Sequence, residues 1–299
     1  MIHIPFSKLS GSGNDFIIID NREKIVDQAV SWISSDDLSE KDEDGEVLVK
    51  YDMRDFIKTI CTRRKSVGAD GVILIENDPK EQCDFAWRFY NSDSSIPAIC
   101  GNGGRCAARF AFERGIADRK MSFRTLAGVI NAEITGEKEV KLQLTPPAGY
   151  LPSVELEIEG VTYDMKFIDT GVPHVVVEVD IADDVDVENL GPNIRFHEHF
   201  APEGTNVNFV QVSGPDSLVI RTYERGVEAE TLACGTGSVA AAVTMAMAGR
   251  VSPPVRVITR SKEILTVHFS GGSEIPKEVY FEGAVSWICD GTLLPEAIL

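Results

Sequence analysis

The chain has 299 residues, of which 43% are hydrophobic and 25% are charged, a composition that excludes fibrous, disordered and disulfide-scaffold proteins. At about 150 residues per domain, this length predicts two domains. The 29 basic and 47 acidic residues give a net charge of −18, so we expect neither a nucleic-acid partner nor an anionic membrane partner.

Two further features bear on the compartment in which the protein works. The longest uncharged apolar stretch, residues 239–248, is shorter than the roughly 20 residues needed to cross a bilayer, and residues 1–8 lack the pattern of a secretory signal. The six cysteines include no Cys-x-x-Cys pair and are too few for a disulfide framework. We therefore expect a reducing cytoplasm, in which a special cysteine is catalytic rather than structural.

In chain order, the sequence predicts many short strands and few helices. Alternating or β-branched runs, typical of strands, occupy residues 16–20, 71–76, 85–90, 140–144, 174–179, 206–212, 218–223, 255–259, 265–269 and 279–288. Helical patterns occupy residues 24–33, 52–63, 102–114 and 236–248. Because strands do not alternate steadily with long helices, we predict an α/β protein of the α+β type with mostly antiparallel sheets.

Two segments are typical of loops. Residues 36–46 contain seven acidic residues in eleven, which predicts a solvated loop between two helices. Residues 145–152 contain three prolines and one glycine, a composition typical of a domain boundary.

An internal repeat is the most informative feature of the sequence. The segments 100–108 and 234–242 both begin Cys-Gly-x-Gly, and they are identical at offsets 0, 1, 3, 7 and 8 from the cysteine and again at offset 15. They lie 134 residues apart, the spacing expected of a duplicated domain. Residues 239–248 form a helix without a polar face, which must be surrounded by protein. We therefore predict two pseudo-symmetric domains, each a curved sheet wrapped around a central helix.

The repeat places one cysteine, Cys100 or Cys234, at the start of each central helix. The N-terminus of a helix favours a thiolate, by about 0.3 to 2 kcal/mol. Lowering a thiol pKa by two units requires about 2.7 kcal/mol, so a neighbouring histidine or a cationic substrate must supply the rest. One thiolate and one thiol on opposite faces of a carbon atom would invert a stereocentre, and the helix N–H groups would bind a substrate carboxylate. These residues predict a cofactor-independent racemase or epimerase.

Several motifs closely resemble those of the diaminopimelate epimerases, and the resemblance extends over essentially the whole chain. The motifs are Ser-Gly-Asn-Asp-Phe (12–16), Asn-Ser-Asp (91–93), Cys-Gly-Asn-Gly-Gly-Arg-Cys (100–106), Tyr-Glu-Arg-Gly (223–226), Glu-Thr-Leu-Ala-Cys-Gly-Thr-Gly (230–237) and Cys-Asp-Gly (289–291). The resemblance implies conversion of LL-2,6-diaminopimelate to the meso form, without pyridoxal phosphate or metal, in lysine and peptidoglycan-precursor biosynthesis. It also implies a homodimer.

The resemblance further implies how the domains and the site are organised. The last strand would return to the first, giving an N-terminal domain of residues 1–145 and 284–299 and a C-terminal domain of residues 146–283. Cys234 would be the base for the LL substrate and Cys100 the acid, with His174 and Glu224 adjusting the two thiols. The substrate-binding positions would be Asn14, Asn91, Gly101, Asn102, Asn206, Glu224, Arg225, Gly235 and Thr236.

The chain departs from the family pattern at three places, none of which removes a catalytic group. Val172 stands where the family often has asparagine, so a hydrogen bond to the ligand is missing or replaced. The segment 226–230 is one residue longer than usual, which leaves the placement of Glu224 open. In the segment 93–95, Asp-Ser-Ser replaces the commoner Asp-Gly-Ser turn.

Other interpretations stay open at this point. A second two-cysteine racemase, acting on proline or hydroxyproline, would use the same thiols but would need a closed apolar pocket. Cys100 and Cys234 could instead form a reversible disulfide in a redox protein. A degenerate binding protein is a non-enzymatic alternative. We expect no metal site, because His197 and His199 have no spaced third ligand.

Overall fold

A computed structural model of the protein describes residues 3–34, 51–272 and 274–298. The chain forms two compact units, the first comprising residues 1–140 and 285–299 and the second residues 141–284. The chain leaves the first unit within strand β7 (Glu139–Leu144) and re-enters it within strand β16 (Val279–Leu293). In the described part of the chain, no helix combines the length and the apolar character that crossing a bilayer requires. The predicted acidic loop at residues 36–46 lies outside the described residues.

The first unit contains six further strands and three helices among its described residues. The strands are β1 (Ile4–Gly11), β2 (Asn14–Asp20), β3 (Gly71–Glu76), β4 (Phe85–Asn91), β5 (Lys120–Thr125) and β6 (Gly128–Ile134), and the helices are α1 (Ile25–Ser34), α2 (Met53–Cys61) and α3 (Gly101–Glu113). They form a sheet in which β1 through β6 are neighbours in chain order, and the later part of β16 pairs with β1.

Helices cover both faces of this sheet, which explains why its central strands are apolar throughout. On one face, Val72 and Leu74 of β3 pack with Phe56 and Ile60 of α2 in an apolar cluster. On the other face lies α3, which contacts β1, β2, β3 and β6.

The second unit contains eight further strands and two α-helices among its described residues. The strands are β8 (Ala148–Ile158), β9 (Val161–Asp169), β10 (Pro173–Glu178), β11 (Asn206–Gly214), β12 (Ser217–Glu224), β13 (Ala229–Thr231), β14 (Val255–Ile258) and β15 (Ile264–Phe269), and the helices are α4 (Val187–Arg195) and α5 (Gly235–Met247). Short 3-10 helices lie at Ala182–Asp184 and Glu198–Phe200 in this unit, and at Pro295–Ala297 in the first unit. Helix α5 packs on one face of the sheet, and α4 packs on β11 and β12.

The two units repeat the same sequence of elements. In the first, β1 and β2 form an antiparallel pair, β3 lies parallel to β2, and β4 leads into α3, after which β5 lies parallel to β4. In the second, β9, β10, β11, β12, α5 and β14 repeat this order and these strand directions. The predicted fold class is therefore confirmed: the protein is sheet-dominated, and a similar sheet and central helix occur in each unit.

The ten predicted strands and the four predicted helices are all present, with ends that differ by a few residues. Sequence reasoning missed β1, β5, β6, β8, β9, β13 and α4. Helix α4 contains Gly191 and Pro192, a pair that is typical of a turn. Gly191 is required there because a Cβ atom would lie 2.6 Å from Cγ of Tyr223.

Candidate functional site

The central helix of each unit, α3 in the first and α5 in the second, is capped at its N-terminus by a cysteine. The Sγ atom of Cys100 accepts the main-chain N–H of Gly103 at 3.4 Å, and the Sγ atom of Cys234 accepts that of Gly237 at the same distance. Both cysteines have extended backbone, as an N-cap residue requires. Both thiols therefore lie at the positive end of a helix, as the sequence predicts.

The glycines of the repeat let the helices approach their sheets. A Cβ atom on Gly237 would lie 2.4 Å from Oδ1 of Asn208 on β11, so no larger residue fits there. The third N–H group of each helix is bonded to sulfur, and the main-chain N–H of Thr236 also bonds to the sulfur of Cys234. The N–H groups of a first helical turn have no carbonyl acceptor within the helix. Each helix start therefore directs main-chain N–H groups toward the region of its cysteine, the arrangement that binds a carboxylate.

Cys234 is a protonated thiol in this structure. It is 7% exposed, and burial raises its pKa to about 12. The charge of Glu224 raises this pKa further, while hydrogen bonds from Thr236 and from the main chain of Gly237 oppose the increase. The hydroxyl of Thr236 lies 3.4 Å from Sγ. Ionising this thiol therefore requires a cation that the described residues do not place beside it.

Glu224 lies at the end of β12, directly before the turn that contains the extra residue. Glu224 pairs with Ala229 of β13, and Glu228 in the turn adopts a φ of +58° while its carboxylate accepts the N–H of Gly226 at 2.9 Å. Burial raises the pKa of Glu224, while a hydrogen bond with Thr231 lowers it, and the charge of Glu224 in turn raises the pKa of Cys234.

His174 is fully buried and neutral. Burial lowers its pKa to about 3, and the charge of Arg225 lowers it further. Asn208 donates its side-chain N–H to Val175 O at 2.9 Å and lies 3.1 Å from Nδ1 of His174, while its Oδ1 accepts the hydroxyl of Thr222. Nδ1 is therefore an acceptor, and the ring proton is on Nε2. That Nε2–H has no partner among the described residues.

Asn206 and Arg225 are joined to the strand ends of the second unit. The side chain of Asn206 donates to Pro173 O at 3.0 Å and accepts the main-chain N–H of Arg225 at 2.9 Å, and the Arg225 guanidinium donates to Glu203 O at 3.3 Å. Val172 offers no polar side chain here. Only its carbonyl takes part, accepting the N–H of Thr170 at 3.1 Å.

In the first unit, Asn14, Asn91 and Asn102 lie at the same end of the sheet as Cys100. Asn102 donates its side-chain N–H to Oδ1 of Asn14 at 2.7 Å, and Asn91 donates to the hydroxyl of Ser95 at 2.9 Å. Ser94 adopts a φ of +69°, so the turn keeps a left-handed backbone without a glycine at this position.

The predicted site residues thus form one group in each unit. Asn14, Asn91, Cys100, Gly101 and Asn102 belong to the first unit, and His174, Asn206, Glu224, Arg225, Cys234, Gly235 and Thr236 belong to the second. Sequence reasoning missed Asn208 and Arg105, which hold predicted residues in place. The signal for Asn208 is an asparagine on an otherwise apolar buried strand.

No three His, Cys, Asp or Glu side chains in the described ranges are clustered so as to hold a metal ion. The ring of His197 instead accepts the main-chain N–H of His199 at 3.2 Å, which closes a local turn. The cysteines at positions 61, 83, 100, 106, 234 and 289 are all free thiols.

Comparison with known proteins gives a consistent result. The family profile of diaminopimelate epimerase matches residues 6–148 and 166–287. The chain is similar to the diaminopimelate epimerase of Aquifex aeolicus, with 46% identity over 99% of both chains, and to that of Hydrogenobaculum sp., with 43% identity over 96% of this chain and 97% of the relative.

Solved structures share the fold at low sequence identity. A PhzF-family phenazine biosynthesis protein of Bacillus anthracis has a TM-score of 0.69 and 14% identity, covering 98% of this chain and 100% of its own. A probable proline racemase of Agrobacterium radiobacter has a TM-score of 0.66 and 15% identity, covering 98% of this chain and 95% of its own.

The neutral state of His174 predicts a loss of stability in mild acid. The unfolded chain binds a proton at this histidine below pH of about 6.5, whereas the folded chain does so only near pH 3, so stability is present above pH 6.5 and is lost as the pH falls. Between pH 7 and pH 5, the free energy of unfolding should fall by about 2 kcal/mol more in the wild type than in His174→Gln. Urea unfolding at both pH values measures this difference, and equal losses in the two proteins would contradict a neutral buried ring.

Proposed function

The chain belongs to the diaminopimelate epimerase family, and from this premise we propose that Cys100 and Cys234 interconvert LL- and meso-2,6-diaminopimelate by moving protons at one α-carbon. The observation that carries the proposal is the paired geometry, in which each thiol caps a central helix and lies beside the main-chain N–H groups of its first turn. The reaction belongs to lysine and peptidoglycan-precursor biosynthesis, the role that follows from the family.

In the LL-to-meso direction, the Cys234 thiolate removes the α-proton and the Cys100 thiol delivers a proton to the opposite face. The electron pair of the broken C–H bond stays on the α-carbon and its carboxylate until the new C–H bond forms. At the end of the turnover, Cys234 is a thiol and Cys100 a thiolate, so the two thiols have exchanged roles. The reverse reaction then begins from this state.

The substrate itself supplies the charge that Cys234 lacks. Burial and Glu224 hold the pKa of this thiol near 12 in the ligand-free protein, so the thiolate is scarce at neutral pH. The α-ammonium group of an amino acid carries the positive charge that stabilises a neighbouring thiolate. Ionisation is therefore coupled to binding of the correct substrate, and a reactive thiolate does not persist in its absence.

The remaining predicted residues bind the substrate and stabilise charge on it. The N–H groups of Gly101 and Asn102 and those of Gly235 and Thr236 receive the α-carboxylate, where negative charge grows as the proton leaves. His174 acts as a neutral hydrogen-bond donor through Nε2, because its low pKa prevents it from acting as a cation. We assign the polar groups remote from the reacting carbon to Asn14, Asn91, Asn206 and Arg225.

Family membership favours diaminopimelate over proline as the substrate. The proline racemase and hydroxyproline epimerase structures share the fold at 15% and 16% identity, which indicates nothing about the substrate of this chain. A long substrate with two amino and two carboxyl groups also requires polar anchors of the kind that Asn206 and Arg225 offer. Val172 offers no such anchor, so a neighbouring polar group must take its place.

We also propose that the protein works in the cytoplasm as a homodimer. Free cysteines support a reducing compartment. Ile288 on the later part of β16 is 53% exposed, so a charge placed there tests whether this strand lies in the interface. Sedimentation equilibrium should give a mass near twice the chain mass of 32.7 kDa, and Ile288→Lys should shift the protein toward monomer. A monomeric wild type, or a variant that stays fully dimeric, would count against this interface.

Replacing either cysteine tests the assignment of the two thiols. Cys100→Ala and Cys234→Ala should each lower kcat for epimerisation by about a thousandfold or more, because a general acid or base contributes roughly 10² to 10⁴. Cys106→Ala, on the same helix as Cys100, is the control and should keep wild-type turnover. The assay follows meso/LL composition with and without pyridoxal phosphate, which should have no effect. Full turnover in either active-site variant, or activity on proline alone, would refute the proposal.

A further inference from the structure

Four side chains in the first unit are joined by hydrogen bonds into a series, called here the hydrogen-bond chain, that includes Asn102 on the helix that Cys100 caps. Arg105 donates from Nη2 to Oδ1 of Asn102 at 3.0 Å, Asn102 donates from Nδ2 to Oδ1 of Asn14 at 2.7 Å, and Asn14 donates from Nδ2 to Oδ2 of Asp70 at 3.2 Å. Arg105 also donates to the hydroxyl of Ser12 at 2.6 Å. The hydrogen-bond chain therefore starts at the buried Arg105 and finishes at Asp70, on the edge of the sheet where the candidate site lies.

The groups at its two ends, a guanidinium and a carboxylate, fix the donor-to-acceptor direction of the hydrogen-bond chain. A guanidinium group only donates hydrogen bonds, so the atom of Asn102 that faces Arg105 must be the oxygen. Oδ2 of Asp70 accepts the main-chain N–H of Asp15 at 3.1 Å, so the atom of Asn14 that faces it must be the nitrogen. Rotating either amide by 180° would bring two donors or two acceptors together. Each asparagine consequently keeps one N–H that has no partner among the described residues.

The fold does not itself need an arginine at this position. Arg105 is fully buried, and burying a guanidinium is costly unless specific partners compensate for the lost hydration. The internal repeat aligns Arg105 with Val239, which is equally buried at the same position of α5. An apolar side chain therefore suffices at this point of the central helix.

The asparagines of the hydrogen-bond chain, like Arg105, are replaced by other residues at the equivalent positions of the second unit. The repeat aligns Asn102 with Thr236, and the turn that carries Ser12 and Asn14 with the turn that carries Thr170 and Val172. Gly13 and Gly171, which precede Asn14 and Val172, both have positive φ, at +89° and +98°. Both asparagines and the arginine are thus present in the first unit, and none of the three is present at the equivalent positions of the second.

We propose that Arg105 is a positioning residue that fixes the amide orientation of Asn102, so that Asn102, like the Asp70-bound Asn14, presents an N–H to a carboxylate of the substrate. The proposal rests on the proposed function for the identity of that carboxylate. Arg105 does not touch the substrate; it acts through Asn102. Without its donor, Asn102 is held only by its bond to Asn14 and its amide rotates more readily, whereas Asp70 keeps Asn14 oriented. A rotated Asn102 amide presents an oxygen that repels a carboxylate.

Two variants at Arg105 test the role. Arg105→Met fills the same space without a donor and should raise KM for diaminopimelate about tenfold, the loss expected for one hydrogen bond to a charged group, while kcat changes by less than about threefold. Arg105→Lys keeps a buried donor that reaches the same oxygen, and it should return KM to within about threefold of the wild-type value.

A second readout does not depend on turnover. In protein labelled with ¹⁵N only at asparagine, the side-chain amide of Asn102 should exchange slowly with solvent in the wild type and in Arg105→Lys, and at least tenfold faster in Arg105→Met, while that of Asn14, which Asp70 holds, should stay slow in all three. Arg109→Met is the matched control, because Arg109 lies one turn further along α3 and bonds to the carbonyl of Val285. It should change neither KM nor these exchange rates.

The outcomes separate this proposal from the proposed function. An unchanged KM and unchanged amide exchange in Arg105→Met would overturn the positioning role, and so would equal effects in Arg109→Met. A wild-type protein that does not turn over diaminopimelate would refute the proposed function instead, and the amide exchange rates would still decide whether Arg105 orients Asn102.

Discussion

The site depends on one repeated interaction, the hydrogen bond from the third N–H of a central helix to the sulfur of the cysteine that caps it. This bond fixes each thiol at the helix start, beside the N–H groups of the first helical turn. A helix N-terminus favours a thiolate by about 0.3 to 2 kcal/mol. At Cys234, burial and Glu224 act in the opposite sense and raise the pKa from 9 to about 12, which corresponds to about 4 kcal/mol. Burial therefore affects the pKa of Cys234 more than the helix N-terminus does, and the thiol stays protonated until a cation binds beside it.

The duplicated scaffold carries two different electrostatic environments. In the first unit, the buried Arg105 and two asparagine amides lie beside the start of α3. In the second unit, the hydroxyl of Thr236 lies 3.4 Å from the sulfur of Cys234, the charge of Glu224 raises the pKa of this thiol, and His174 is buried and neutral.

Sequence reasoning predicted the parts of this arrangement that have a local signal. The repeat located both thiols. The glycines after each cysteine indicated that the helix start lies close to another part of the protein, and in the second unit Gly237 does lie against Asn208. Helix α4 was missed because Gly191 and Pro192 resemble a turn when their packing on β12 is unknown. The neutrality of His174 could not be predicted, because it results from complete burial and from Asn208, which is distant in sequence. The orientation of Asn14 depends on partners 56 and 88 residues away, and no local pattern reports them.

The central claim is that two different thiols take and return the α-proton, and the fate of deuterium in the first turnovers tests it most directly. LL-diaminopimelate is incubated with the enzyme in ²H₂O, and both stereoisomers are isolated before a tenth of the substrate has reacted. Proton delivery by a second, solvent-exchanged thiol predicts deuterium at the inverted carbon of nearly all meso product and protium in the remaining LL substrate. Meso product that retains the original protium, or LL substrate that gains deuterium as fast as product forms, would show that a single group does both steps.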